Sequence, residues 1–174
     1  MATKSDQTPA SFSYQLPAER IAQRPVQPPE AARLLVVPLQ GMLSASTFGR
    51  LRDYLRSGDL LVFNQTQVAP ARLRGIIDGA GGAAAEFLLV SRQSDQAWRC
   101  LAKPLKKLRP GTVVRCGEQL VATVEERSGE KEILVTFSAI SDTLPIADLI
   151  DRQGEMPIPP YIRRGQADQQ DRID

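Results

Sequence analysis

Between Ala71 and Ser138 the chain carries six short apolar-alternating segments, "ARLRGIID", "AEFLLVS", "WRCLAK", "TVVRC", "QLVATVE" and "EILVTFS", each set off by turn residues. Alternation with period two gives each segment one apolar face, the pattern of a half-buried strand. Six antiparallel strands in an open sheet leave two edges of unpaired backbone groups. Closure into a small barrel is therefore the economical arrangement at this length, with an open sandwich as the alternative.

The flanks have a different texture. "SFSYQLP" alternates Phe12, Tyr14 and Leu16 and reads as a strand, after which Pro17 opens a short helix over "AERIAQ". "PVQPPE" is a proline-stiffened loop that delivers Arg33 and the continuous apolar run "LLVV" at 34–37, a strand type that asks for cover on both faces. Ser46 fits the N-cap of a helix carrying Phe48, Leu51 and Leu55 and closed by Gly58, and "DLLVFN" follows as a strand. After the barrel segments, "LPIADLIDRQG" returns to helical spacing through Ile146, Leu149 and Ile150 and stops at Gly154. The predicted fold is thus an α/β partial domain interrupted by a six-stranded antiparallel β-barrel: residues 1–66 begin the α/β domain, 67–151 form the inserted barrel, and 152–174 are a return arm. The elements outside the barrel are too few to cover both faces of "LLVV", so the α/β domain is expected to be incomplete.

Composition narrows the function. With 42% apolar and 24% charged residues the chain has the make-up of a folded protein, and its net charge of +2 conceals an uneven distribution. Residues 76–115 hold seven Lys and Arg against three Asp and Glu, whereas residues 116–151 hold two against eight. A basic face of this kind suits a polyanion. No histidine occurs, which removes the usual general acid or base near neutral pH and the commonest zinc ligand, and with them a Ser-His hydrolase or a zinc enzyme. Cys100 and Cys116 lack metal-ligand spacing and read as reduced, partly buried thiols. The first ten residues lack an apolar core and no aliphatic run is long enough to cross a bilayer, so a cytoplasmic protein without membrane or metal partners is expected.

Four groups of residues can carry chemistry. The turn "AKPLKKLRPG" sets Lys103, Lys106, Lys107 and Arg109 between two strands, where they either contact phosphates or form a solvated loop. Asn64 and Thr66 follow a predicted strand, where open α/β sheets bind ligands, with Arg72 after a proline turn; Asn and Thr are also ordinary turn formers. Arg33 and Arg24 each offer a planar fork for a carboxylate or phosphate, or serve a structural ion pair. In "GEMPIPPYIRR", Pro157, Pro159 and Pro160 stiffen an arm that presents Tyr161, Arg163 and Arg164. That combination suits looped RNA, and equally suits a strap that packs between domains.

Taken in order, "FSYQLPAERIAQRP", "ARLLVV", "SGDLLVFNQTQVAPARLRG", "GGAAAEFLLV", "KPLKKLRPGT" and "GEMPIPPYIRR" resemble the S-adenosylmethionine:tRNA ribosyltransferase-isomerases of queuosine biosynthesis. The resemblance runs from Phe12 to Arg164 and implies an α/β domain interrupted by a six-stranded barrel. It implies a reaction as well. The ribosyl part of S-adenosylmethionine moves to the aminomethyl group of a 7-deazaguanine at the tRNA wobble position and isomerises to an epoxycyclopentanediol, while adenine and methionine leave. The sulfonium acidifies the adjacent C5′ hydrogens, so such a step calls for a base there, help for departing adenine and a neutral amine nucleophile. S-adenosylmethionine is the co-substrate, and no other cofactor or metal is implied.

The family pattern matches Arg33, Asn64, Thr66, Val68, Arg72, Lys103, Lys107, Tyr161 and Arg163, and assigns a secure catalytic role to none of them. On that pattern Arg33, Asn64, Thr66 and Arg72 are candidates for the co-substrate site and Lys103, Lys107, Tyr161 and Arg163 for the RNA-binding surface, to which the charge of the basic turn adds Lys106 and Arg109. This chain departs from many members in having Pro29-Glu30 for Arg-Asp, and Gln65 and Gln67 for an acidic and a basic residue. Members continue with a Tyr-Gln-Thr-Val segment and a histidine-rich second half. The chain is accordingly expected to correspond to the N-terminal half and to be inactive alone, with a non-catalytic RNA-binding module or a truncated remnant as alternatives.

Overall fold

The computed structural model describes residues 8–79, 81–128, 131–141, 144–163 and 171 of the chain. Its strands are β1 Arg33–Val36, β2 Ser44–Thr47, β3 Arg72–Ile77, β4 Ala84–Arg92, β5 Ala97–Lys103, β6 Val113–Cys116, β7 Leu120–Ser128 and β8 Glu132–Ala139, followed by helix α1, Ile146–Gln153. The six segments expected to form a barrel do so. Their order is β3-β4-β5-β8-β7-β6, every neighbouring pair is antiparallel, and β6 closes on β3 through Ile76 opposite Arg115 and Ile77 opposite Val114. Closure removes the open edges that a flat sheet of these strands would expose.

Alternation decides what lies inside. From β3 to β8 the inward positions are Leu73, Phe87, Trp98, Cys100, Val114, Cys116, Leu120, Ala122, Val124, Ile133, Val135 and Phe137, all buried. Phe137 meets Phe87 and Trp98 edge to face, with ring centroids 6.3 Å and 5.5 Å away. Ile146, Leu149 and Ile150 of α1 join the same cluster, so the helix completes the barrel core through the apolar stripe its sequence spacing announces. At Gly75 a Cβ atom would fall 2.6 Å from the Arg115 carbonyl oxygen and 2.7 Å from Val114 Cγ1, which explains a glycine at the closing seam.

The buried thiols have a measurable signature. Burial pushes Cys100 from 9.0 up to about 12, with the charge of Cys116 adding to the effect, and burial alone pushes Cys116 up to about 12. The folded barrel holds both as neutral thiols, while in the unfolded chain they ionise near their ordinary value. Stability is therefore expected to be unaffected by these groups below about pH 9 and to fall above it by about 1.4 kcal/mol per pH unit for each thiol, until the folded values are reached. Chemical denaturation at pH 8 and pH 10 measures the difference, and a disulfide-exchange reagent at pH 8 should label neither cysteine until denaturant is added.

The described chain separates into two compact units, Met1–Leu61 with Pro160–Arg164, and Val62–Pro159 with Gly165–Asp174. The smaller unit holds the two-stranded antiparallel sheet β1-β2, paired from Arg33 opposite Thr47 to Val36 opposite Ser44, and 3-10 turns at Pro9–Phe12, Ala18–Arg20, Pro29–Ala31 and Phe48–Tyr54. None of its described residues is buried.

Several local expectations are corrected there. Phe12–Leu16 and "DLLVFN" are not strands, because no neighbouring strand among the described residues receives their backbone hydrogen bonds. The stretch expected as a helix is the 3-10 run Phe48–Tyr54, and Ser46 lies in β2 rather than at an N-cap. A helix this short depends on packing to persist, and little packing is present. "LLVV" is a strand through Val36, but Leu35 and Val37 remain 64% and 67% exposed, so cover exists on one face only.

Candidate functional site

The basic turn is firmly built. Lys103 ends β5 opposite Glu86 of β4, and a 3-10 turn, Leu105–Lys107, follows Pro104. Leu108 is fully buried and Leu105 partly so, which anchors the turn in the core while Lys103, Lys106, Lys107 and Arg109 stay exposed. Arg127 of β7 clamps it from outside: Nε and Nη2 each donate to the Leu108 carbonyl at 3.3 Å, and Nη2 also donates to the Leu105 carbonyl. Thr112 Oγ1 accepts from the Arg109 amide at 3.0 Å. Nothing local marks Arg127 out in the sequence, where it looks like any charged residue at a strand end.

Arg72 serves the backbone of its own unit. Its amide donates to the Glu155 carbonyl at 3.1 Å and its carbonyl accepts from the Glu155 amide at 2.8 Å, while Nη2 donates to the Ile158 carbonyl at 3.3 Å. Arg72 Nε lies 3.7 Å from Glu86, and Arg74 Nε lies 3.9 Å from Glu86 and 3.2 Å from Glu155. The four side chains form one partly buried charge cluster, in which Arg72 Nε itself lacks a hydrogen bond. Arg74, Glu86 and Glu155 were not legible as partners because they come from three separate segments.

Asn64 and Thr66 stand together through a local turn in which the Thr66 amide donates to Asn64 Oδ1 at 2.8 Å. Both are exposed, as is Val68. Arg33, on β1, and Tyr161 and Arg163 belong to the smaller unit and are exposed, with the Arg163 amide donating to Gln23 Oε1 at 2.6 Å. Arg164 lies outside the described residues. The barrel unit thus collects Asn64, Thr66, Arg72, Lys103, Lys106, Lys107 and Arg109, and the smaller unit Arg33, Tyr161 and Arg163. Arg24 is engaged in an interaction of its own. No helix among the described residues is long and apolar enough to cross a membrane.

The family model described as queuosine biosynthesis protein matches residues 9–173. Among curated relatives, an S-adenosylmethionine:tRNA ribosyltransferase-isomerase of Hyphomonas neptunium is 42% identical over 92% of this chain and 47% of its own length, and one of Beijerinckia indica is 43% identical over 94% and 47%. A crystal structure of an S-adenosylmethionine tRNA ribosyltransferase from Thermotoga maritima is 34% identical, covering 83% of this chain and 48% of that one, with a TM-score of 0.41. The chain spans about half the length of the curated relatives it matches. With a match across nearly its whole length, this chain belongs to the queuosine biosynthesis protein family.

Proposed function

We propose that this chain takes part in moving the ribosyl moiety of S-adenosylmethionine onto 7-aminomethyl-7-deazaguanine in a tRNA anticodon, with isomerisation to epoxyqueuosine. The observation that carries the reading is the 42% identity, over 92% of the chain, to a relative named for that reaction. S-adenosylmethionine is the co-substrate and the source of the reactive centre, tRNA is the macromolecular partner, the compartment is the cytoplasm, and neither a metal nor a further cofactor takes part. On the barrel unit, Asn64, Thr66 and Arg72 serve the co-substrate and the basic turn holds RNA; on the smaller unit, Arg33 is assigned to the co-substrate and Tyr161 and Arg163 to RNA. Arg72 acts there by fixing the backbone around Glu155 and Ile158.

The exposed turn supports the RNA half of this reading. Side chains that approach phosphate must be free of internal partners, and the structure gives Lys103, Lys106, Lys107 and Arg109 no ion pair among the described residues. A Lys103→Ala, Lys107→Ala double variant is expected to bind precursor tRNA about 25-fold more weakly near 0.1 M salt, with the salt slope reduced by about 1.4 for two lost phosphate contacts. Unchanged affinity and slope overturn that assignment.

A second reading rests on the contrast between the two units. The barrel has a complete core, whereas no described residue of the smaller unit is buried. On its own, the chain is then an RNA-binding module that does not turn over. Given S-adenosylmethionine and precursor tRNA, the 174-residue protein is expected to bind the RNA without releasing adenine. Adenine in the supernatant, measured by chromatography, overturns this reading.

A further inference from the structure

Outside the barrel, across β6, β3, β4 and β5, runs a groove of about 710 Å³ lined by Arg74, Ile76, Ala84, Glu86, Lys103 and Arg115. The strand register explains it. Arg115 stands opposite Ile76 and Ile76 opposite Ala84, while Arg74 stands opposite Glu86 and Glu86 opposite Lys103. Small side chains on the outer face leave the floor low, and Ile76 lies 48% exposed in it. The cations differ in how they are held. Arg74 is tied to Glu86 and Glu155. Lys103 has no partner among the described residues. Among the described residues Arg115 has only Asp78, at 3.8 Å between two well-exposed side chains. Such an exposed surface pair is weak and exchanges readily for another anion.

Arg115 and Lys103 stand three inter-strand steps apart round the closed six-stranded barrel and are offset by two residues along β4, Ala84 against Glu86, so a ligand that touches both follows the curve of the wall. That span suits successive groups of an extended polyanion better than one phosphate. The floor carries no aromatic ring for stacking and few groups able to read base edges, so the groove fits a sugar-phosphate backbone whatever its sequence. At its Lys103 end it runs through Pro104 directly into the turn bearing Lys106 and Lys107.

We infer that this outer face of the barrel is a backbone-docking groove for RNA, in which Arg115 supplies a phosphate contact beyond those of the basic turn. The inference rests on the RNA-binding reading above. Arg115→Gln tests it without touching that turn: binding of the 174-residue chain to a stem-loop RNA is followed by fluorescence anisotropy over a range of KCl concentrations. The expected result is a salt slope reduced by about 0.7 and, near 0.1 M salt, an affinity about fivefold lower. Asp78→Asn frees the same guanidinium and is expected to tighten binding about twofold to fivefold. Arg92→Gln removes an equal charge from a residue that pairs with Asp95 and stacks on Trp98, and is expected to leave the slope unchanged. If the parent chain binds and loses affinity in the Lys103→Ala, Lys107→Ala variant while Arg115→Gln and Asp78→Asn match the parent, the groove is wrong and the basic turn stands. A fall in slope for Arg92→Gln equal to that for Arg115→Gln also overturns the groove, since the effect is then one of net charge. If the parent chain binds no RNA even at low salt, the groove and the RNA-binding reading fall together.

Discussion

Phe137→Ala is expected to lower the unfolding free energy of the barrel by about 4 kcal/mol, the middle of the range for removing a buried aromatic ring. The ring is fully buried and meets two other aromatics edge to face, so truncation removes both contacts and leaves a void at the centre of a closed structure. A closed barrel cannot collapse onto such a void by sliding one sheet over another, because each strand is hydrogen-bonded on both sides. The chain's one tryptophan, Trp98, packs against the lost ring and reports the transition by its own fluorescence. A urea midpoint close to that of the parent protein contradicts this account of the core.

Gly154→Ala is expected to cost about 3 kcal/mol, an overpacking effect in an unforgiving place. The backbone there has φ −69° and ψ 144°, which any residue adopts, so conformational freedom is not the reason for the glycine. The reason is space. A Cβ atom would stand 2.0 Å from the Pro70 carbonyl oxygen and 2.6 Å from that of Ile150, both backbone atoms that cannot rotate away. Accommodation requires the chain end of α1 to move from the strand entry at Pro70, with strain on the Arg72–Glu155 pairing beside it. Thermal melting of the variant, with the Trp98 signal as probe, measures the loss.

The barrel was legible because period-two alternation, turn glycines and short segment lengths all pointed to the same state, from "ARLRGIID" to "EILVTFS". Gly154 does stop the helix, as its spacing announced, but its necessity as a glycine comes from a carbonyl more than eighty residues earlier in the chain, which no local pattern carries. The flanks misled in the opposite sense. "DLLVFN" and "SFSYQLP" have strand chemistry, but propensity forms a strand only where a neighbour receives its hydrogen bonds. Leu60 and Val62 remain 87% and 86% exposed. For the candidate site, the lysines of "KPLKKLRPG" were visible as a charge run, whereas Arg127 and the Arg72, Arg74, Glu86 and Glu155 cluster depend on barrel closure and register, which are facts of tertiary pairing.

The pairing of Arg72 with Glu155 has a mechanical consequence. The first residue of β3 and the second residue beyond α1 are clasped by two backbone hydrogen bonds, 3.1 Å and 2.8 Å long, so the strands and helix of the barrel begin and end at a single point. Tension applied across the Ala71–Met156 ends of this unit falls on that clasp together with the hydrogen bond from the Leu89 amide to the Ala71 carbonyl beside it. The strands beyond β4 are loaded only after both have parted.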